Sequence, residues 1–102
     1  MAAEYMAALM VNGKPIELTG FPEEFLAKTL AGAVSSLKKT EEVKELELTM
    51  AFGKVKLKLN GNQIPLGPFP NLVITNTLIG MVGTFKGVDE KVTNIEIKIK
   101  AV

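Results

Sequence analysis

The sequence predicts an α+β domain, a two-layer sandwich of six mostly antiparallel strands with two helices on one face. Three observations support this fold class. The chain matches itself at an offset of 48 residues, each copy opens with an Asn-Gly dipeptide between alternating apolar residues, and each then shows helical periodicity. We therefore interpret residues 1–102 as a single domain, formed by tandem duplication of a ββαβ unit with repeats at about 5–51 and 53–101.

The internal match aligns residues 11–42 with residues 59–90, and 12 of the 32 aligned pairs are identical. One extra residue near Lys91 keeps the closing strands of the two copies in register. Two copies are too few for a solenoid, so a single domain with pseudo-twofold symmetry is the better interpretation. The identical pairs are Asn12/Asn60, Gly13/Gly61, Ile16/Ile64, Leu18/Leu66, Phe21/Phe69, Pro22/Pro70, Thr29/Thr77, Leu30/Leu78, Gly32/Gly80, Val34/Val82, Lys38/Lys86 and Glu42/Glu90.

Three hairpins are predicted, with turns at Asn12-Gly13, Phe52-Gly53 and Asn60-Gly61. Asn and Gly tolerate the positive φ angles of a tight hairpin turn, and each turn sets a register that places apolar residues on one face. In the central hairpin this register also sets Glu47 opposite Lys58. The apolar pairs expected are Leu9/Ile16, Ala7/Leu18, Leu46/Leu59, Leu48/Leu57, Met50/Val55, Leu57/Ile64 and Val55/Leu66.

The first helix is expected over residues 21–39, because Pro22, Glu23 and Glu24 suit its start and Lys38 and Lys39 suit its end. Its buried stripe is predicted to be Leu26, Leu30, Ala33 and Leu37. The equivalent stripe in the second copy is Ile74, Leu78, Met81 and Phe85.

Gly32 and Gly80 fall in the middle of these helices, which suggests that each glycine allows a close packing contact. Both helices should cover one face of a sheet whose strand order 2-1-6-3-4-5 satisfies the hairpins and the symmetry. That face comprises Leu9, Ile16, Leu18, Leu46, Leu48, Val55, Leu57, Leu59, Ile64, Leu66, Ile95, Ile97 and Ile99.

The chain has no Cys, His, Trp or Arg. This composition excludes thiolate nucleophiles, imidazole bases, Cys/His zinc sites and bidentate binding of phosphate by Arg. Its acidic pairs are explained by helix starts and solvated loops: Glu23/Glu24, Glu41/Glu42 and Asp89/Glu90. We expect no enzyme activity, no catalytic residues, no cofactor and no metal.

The first ten residues lack the basic and long apolar regions of a secretory signal, and the apolar stretch 71–85 is shorter than the roughly 20 residues of a membrane span. We therefore expect a cytoplasmic protein without membrane association. The use of Lys and Glu without Cys or His is compatible with a thermophilic source.

A nucleic-acid-binding role is the first alternative considered, because the sheet face opposite the helices collects five lysines. Glutamates share that face, the net charge is only +1, and there is no Arg to contact base edges, so the pattern favours a solvated strand face over a nucleic-acid partner. The five lysines are Lys54, Lys56, Lys58, Lys98 and Lys100.

The first strand should present Met6, Ala8 and Met10 away from the core, where the second copy has lysines. We expect these apolar side chains to be covered by the N-terminal tail or by another chain. A competing interpretation is that the segment MAAEYMAALM is a helix.

The second helix should present Leu72, Asn76, Ile79 and Gly83 away from the sheet, where the first copy has Glu24, Lys28, Ala31 and Ser35. A helix without charge on either face is normally buried on both sides. The sequence therefore predicts a homodimer through this surface, in which Gly80 and Gly83 let the backbones approach. A small apolar ligand or another protein in the same groove is the alternative.

Overall fold

The computed structural model describes residues 5–37, 42–89 and 91–102, and these residues form six strands and two helices. All strand pairs are antiparallel and lie in one open sheet, so the α+β class is confirmed. The strand order β2-β1-β6-β3-β4-β5 is the predicted one. The elements are β1 (Tyr5–Val11), β2 (Lys14–Ile16), α1 (Phe21–Leu37), β3 (Glu45–Ala51), β4 (Lys54–Leu59), β5 (Asn62–Ile64), α2 (Pro68–Val82) and β6 (Asn94–Ala101).

The segment Tyr5–Val11 is a strand, so the helical interpretation of the first ten residues is wrong for the part that the structure describes. Residues 1–4 lie outside the described residues. So do residues 38–41 and 90, which include Lys38 and Lys39, expected at the end of α1.

The three hairpin turns adopt the conformation that the sequence predicts. Asn12, Phe52 and Asn60 have φ angles of 52°, 50° and 51°, and the glycine that follows each also has positive φ. The central hairpin has the predicted register, including Glu47 opposite Lys58. The pairs Leu9/Ile16 and Leu57/Ile64 also form as expected.

The outer strands β2 and β5 are shorter than expected, so the predicted pairs Ala7/Leu18 and Val55/Leu66 do not form. Side chains from the helices take their place. The backbone N–H of Ala7 donates to Glu23 Oε2 at 3.1 Å, and that of Val55 donates to Asn71 Oδ1 at 2.9 Å. A side chain from the first turn of a helix thus accepts the hydrogen bond that each strand edge would otherwise donate to β2 or β5. Both outer strands can therefore end early without leaving that backbone N–H unpaired.

The turn asparagines also hold distant segments of the chain. Asn60 Oδ1 accepts hydrogen bonds from the backbone N–H groups of Lys44 and Glu45, and its amide donates to the carbonyl of Glu42 at 2.7 Å. Asn12 makes the corresponding contacts at the start of β6. Its Oδ1 accepts from the backbone N–H groups of Thr93 and Asn94, and its amide donates to the carbonyl of Lys91. Each asparagine therefore fixes the entry of a central strand as well as its own turn.

The hydrophobic core lies between one face of the sheet and both helices, as predicted. Its largest fully buried side chains come from the central strands and from the middle of each helix. Of the predicted face residues, only Leu18, Val55 and Leu66 are partly rather than fully buried.

The buried faces of the helices differ from the predicted stripes. In α1 the buried residues are Leu26, Ala27, Leu30, Ala31 and Val34, and in α2 they are Ile74, Thr75, Leu78 and Val82. The predicted core residues Ala33, Met81 and Phe85 are only partly buried, and Leu37 is exposed. Because apolar residues surround α2 on every side, periodicity alone could not fix which of them face the sheet. Phe85 also lies beyond the end of the helix at Val82.

The helix glycines do not make the expected close contacts within the chain. Gly32 and Gly80 are exposed, and apart from the adjacent residues and backbone of the same helix, a Cβ added at either would meet no atom of the described residues within 4 Å. The idea that helix packing explains these two glycines is therefore wrong for the isolated chain.

Thr75 is the one buried polar residue recorded in the core of the described chain, and its hydroxyl finds no hydrogen-bond partner there. A buried hydroxyl without a partner costs about 1–3 kcal/mol. We expect Thr75→Val to raise the free energy of unfolding by about 1 kcal/mol, measured by urea denaturation. Thr77→Val, at an exposed position of the same helix, is the control and should change it by less than about 0.5 kcal/mol. A destabilised Thr75→Val protein would contradict this account.

Candidate interaction surfaces

The solvent-facing side of α2 is apolar or neutral along its whole length. Exposed fractions are 74% for Phe69, 56% for Leu72, 44% for Val73 and 41% for Ile79, and the helix contains no charged residue. Isolated exposed apolar residues are ordinary, whereas a continuous strip is typical of interaction surfaces, which makes this one a candidate. We refer to this strip as the α2 outer face, and it comprises Phe69, Leu72, Val73, Asn76, Ile79, Gly80 and Gly83.

All five residues predicted for this surface are exposed: Leu72, Asn76, Ile79, Gly80 and Gly83. Phe69 and Val73 are also exposed on this surface, although the sequence did not predict them there. Thr75 and Val82 face the core in place of the predicted Met81 and Phe85. Since residues on a helix are about 100° apart, the centre of the outer face therefore lies closer to Val73 and Gly80 than predicted. Gly83 follows the last helical residue, and its backbone N–H donates to the carbonyl of Ile79 at 3.1 Å.

The corresponding side of α1 carries charge. Lys28 Nζ donates to Glu24 Oε1 at 2.6 Å, and this hydrogen bond, together with the positive charge of Lys28, lowers the pKa of Glu24 below its ordinary value. Ser35 is exposed, whereas Ala31 is buried at 7% exposure, so the prediction that Ala31 faces solvent is wrong.

The start of α1 is less polar than the sequence analysis supposed. Phe21 and Phe25 are 72% and 46% exposed, and their ring centroids are 5.2 Å apart. A part of their surface is covered by this mutual contact. The contrast between the two helices therefore concerns charge rather than apolar residues in general, since α1 carries Glu23, Glu24 and Lys28 and α2 has no charged residue.

The second candidate surface is the side of the sheet that faces away from the helices, which we call the open sheet face. Its residues lie in strips along the strands. The strip on β1 is Met6, Ala8 and Met10; that on β6 is Glu96, Lys98 and Lys100; that on β3 is Glu45, Glu47, Thr49 and Ala51; that on β4 is Lys54, Lys56 and Lys58; β5 adds Gln63.

The apolar strip on β1 is exposed to solvent in the single chain. Met6 is 62% exposed and Met10 is 36% exposed, and Ala8 between them is also exposed. Residues 1–4, the proposed covering tail, lie outside the described residues. Coverage of this strip by another chain therefore stays a prediction.

The charged strips form no ion pair among the described residues. The ion pairs of the described chain lie elsewhere, between Lys14 and Asp89 and between Lys28 and Glu24. Two shallow depressions of about 410 and 260 Å³ cross this face. Glu47 and Lys98 line both of them and so form the rim that they share.

Of the three acidic pairs, only Glu23/Glu24 lies wholly within the described residues. Glu23 accepts a hydrogen bond from the backbone N–H of Ala7, and Glu24 accepts one from Lys28. Asp89 Oδ1 lies 3.6 Å from Lys14 Nζ. Glu41 and Glu90 lie outside the described residues, and Glu42 is exposed. Among the residues described, no three acidic side chains are grouped as metal ligands.

In the described part of the chain, neither helix combines the length and the apolar character needed to cross a membrane. Comparison with protein-family models, with curated proteins and with solved structures gave no match.

Proposed function

We propose that this protein is a non-enzymatic protein-interaction domain that forms a homodimer through the α2 outer face. The observation that carries the proposal is the apolar surface of a helix whose opposite side is already in the core. Leu78 is fully buried while its neighbour Ile79 is 41% exposed, so the outer residues are not needed to hold the helix on the sheet. No other element of the described residues covers them.

A second copy of the chain is the partner that fits this surface most economically. Twofold symmetry brings the same apolar strip together from both copies, so one surface serves as both partners. Gly80 is exposed, and no described atom outside its own helix lies within 4 Å of an added Cβ, which leaves room for a close approach of two helices. Asn76 lies in the same strip, where its amide can pair with its counterpart across the axis.

We also propose that the domain arose by duplication of a ββαβ unit and retains pseudo-twofold symmetry. Two equivalent hydrogen bonds support this proposal. Glu23 binds Ala7, and Asn71, which is 48 positions after Glu23, binds Val55, which is 48 positions after Ala7. The matched hydrogen bonds of Asn12 and Asn60 support it as well. Loss of charge from only one of two related helices indicates a role that was gained after duplication.

The proposal predicts that Ile79→Lys converts a dimer into a folded monomer. The charge would be stranded in an apolar interface, whereas in the monomer it would project into water. Molar mass should be measured by light scattering after size exclusion, together with the thermal melting curve. Ser35→Lys adds the same charge to an exposed position of α1 and should leave the dimer intact.

A monomeric wild-type protein would contradict self-association, and it would favour a small apolar ligand or another protein on the same face. Loss of folding in Ile79→Lys would contradict the surface position of Ile79. A dimer that survives the substitution would show that another face holds the two copies together.

A further inference from the structure

We propose that the open sheet face is a second self-association surface, on which two copies pack around a twofold axis that runs parallel to the strands between β6 and β3. This goes beyond the proposed function, because it uses the opposite side of the molecule. It can be true or false independently of the α2 contact.

The pattern of charge on the two central strands carries the proposal. Lys98 on β6 is directly opposite Glu47 on β3, and in the next row Lys100 is opposite Glu45. All four residues are exposed, and within the described chain neither row forms an ion pair. Their charged ends are therefore free to meet charges on another molecule.

The proposed axis exchanges the positions of β6 and β3. It places Lys98 of one copy over Glu47 of the second copy, and Lys100 over Glu45, and each contact occurs twice. An axis across the strands, centred on the same rows, would instead stack β3 on β3 and β6 on β6, which sets like charges together. Stacked sheets lie about 10 Å apart, a distance that a lysine and a glutamate can span together.

The same operation gives the apolar strip on β1 a partner. It lays Ala8 over Lys58 and Met10 over Lys56 of the second copy, and it places Met6 over Asn60, just beyond the lysine strip on β4. The aliphatic stems of lysines can cover apolar side chains while the ammonium groups reach solvent at the rim. This arrangement accounts for an apolar strip that the core of the single chain does not require.

Two double variants test the proposal by exchange of charge. In the first, Glu45→Lys and Glu47→Lys leave only positive charge in the two central rows, and in the second, Lys98→Glu and Lys100→Glu leave only negative charge. Each variant alone should lose the sheet contact through repulsion. An equimolar mixture should restore it, because every lysine of one variant then faces a glutamate of the other. Native mass spectrometry at low salt identifies the mixed species, and circular dichroism checks that each variant is folded.

The mixture is made with Ile79→Lys in both variants, so that a mixed species can come neither from pairing within one chain nor from the α2 contact, and its presence then supports the proposal. Its absence, with both variants folded, would overturn it, and so would wild-type assembly that neither double variant alters. The single variant Ile79→Lys distinguishes the α2 contact from the sheet contact. If assembly is lost in Ile79→Lys but not in the charge variants, the result supports only the proposed function. The reverse result supports only the sheet contact, which should also weaken at high salt, whereas an apolar contact should not.

Discussion

Replacing Asn60 with alanine is expected to lower the free energy of unfolding by about 2–4 kcal/mol. Its side chain makes three solvent-exposed hydrogen bonds to backbone groups at the entry of β3, each contributing at the low end of about 0.5–1.5 kcal/mol. Alanine would also have to adopt a φ of about 51° at the turn, a conformation that costs about 1–2 kcal/mol for a residue with a Cβ. Urea denaturation followed by circular dichroism measures the loss.

Asn60→Gly separates the two contributions, because glycine accepts positive φ but has no side chain to bind the strand. We expect it to be destabilised less than Asn60→Ala by about 1 kcal/mol, and still more than wild type. Asn62→Ala, at an exposed position of β5, is the surface control. If Asn60→Gly were as stable as wild type, the asparagine would be no more than a turn residue, and a fully stable Asn60→Ala would contradict both contributions.

Replacing Leu78 with alanine should have a comparable or larger effect, about 2–5 kcal/mol, because its side chain is fully buried between α2 and the sheet. The neighbouring substitution Ile79→Ala removes a similar volume at a position that is 41% exposed. In the monomer it should cost less than about 1 kcal/mol. Thermal or urea unfolding at low protein concentration measures both values without a contribution from association.

This pair of variants tests the orientation of α2 directly. Similar losses at Leu78 and Ile79 would mean that the helix is buried on both sides within one chain. That result would remove the basis for an interaction surface there. At high protein concentration, stability of Ile79→Ala relative to wild type should decrease further if the dimer forms, since association stabilises only the wild type fully.

Several features of the fold could be predicted because their signals are local. The Asn-Gly turns and the period-two alternation set the hairpin registers. The observed strand order satisfied these hairpins and the symmetry, but the sequence did not exclude other orders. The open sheet face was predicted for the same reason. A register error of one residue would have exposed every apolar side chain of a strand, so few alternatives were left.

The sequence by itself therefore determined the fold class, the turns, the register and the charge contrast between the helices. Only the tertiary structure decided the orientation of α2, with Thr75 inside and Val73 and Phe69 outside, because apolar residues occur all around this helix. It also decided where β2 and β5 end and what Asn12 and Asn60 bind. Those contacts join residues 15 to 82 positions apart, and a local pattern contains no information about a partner so distant in the chain.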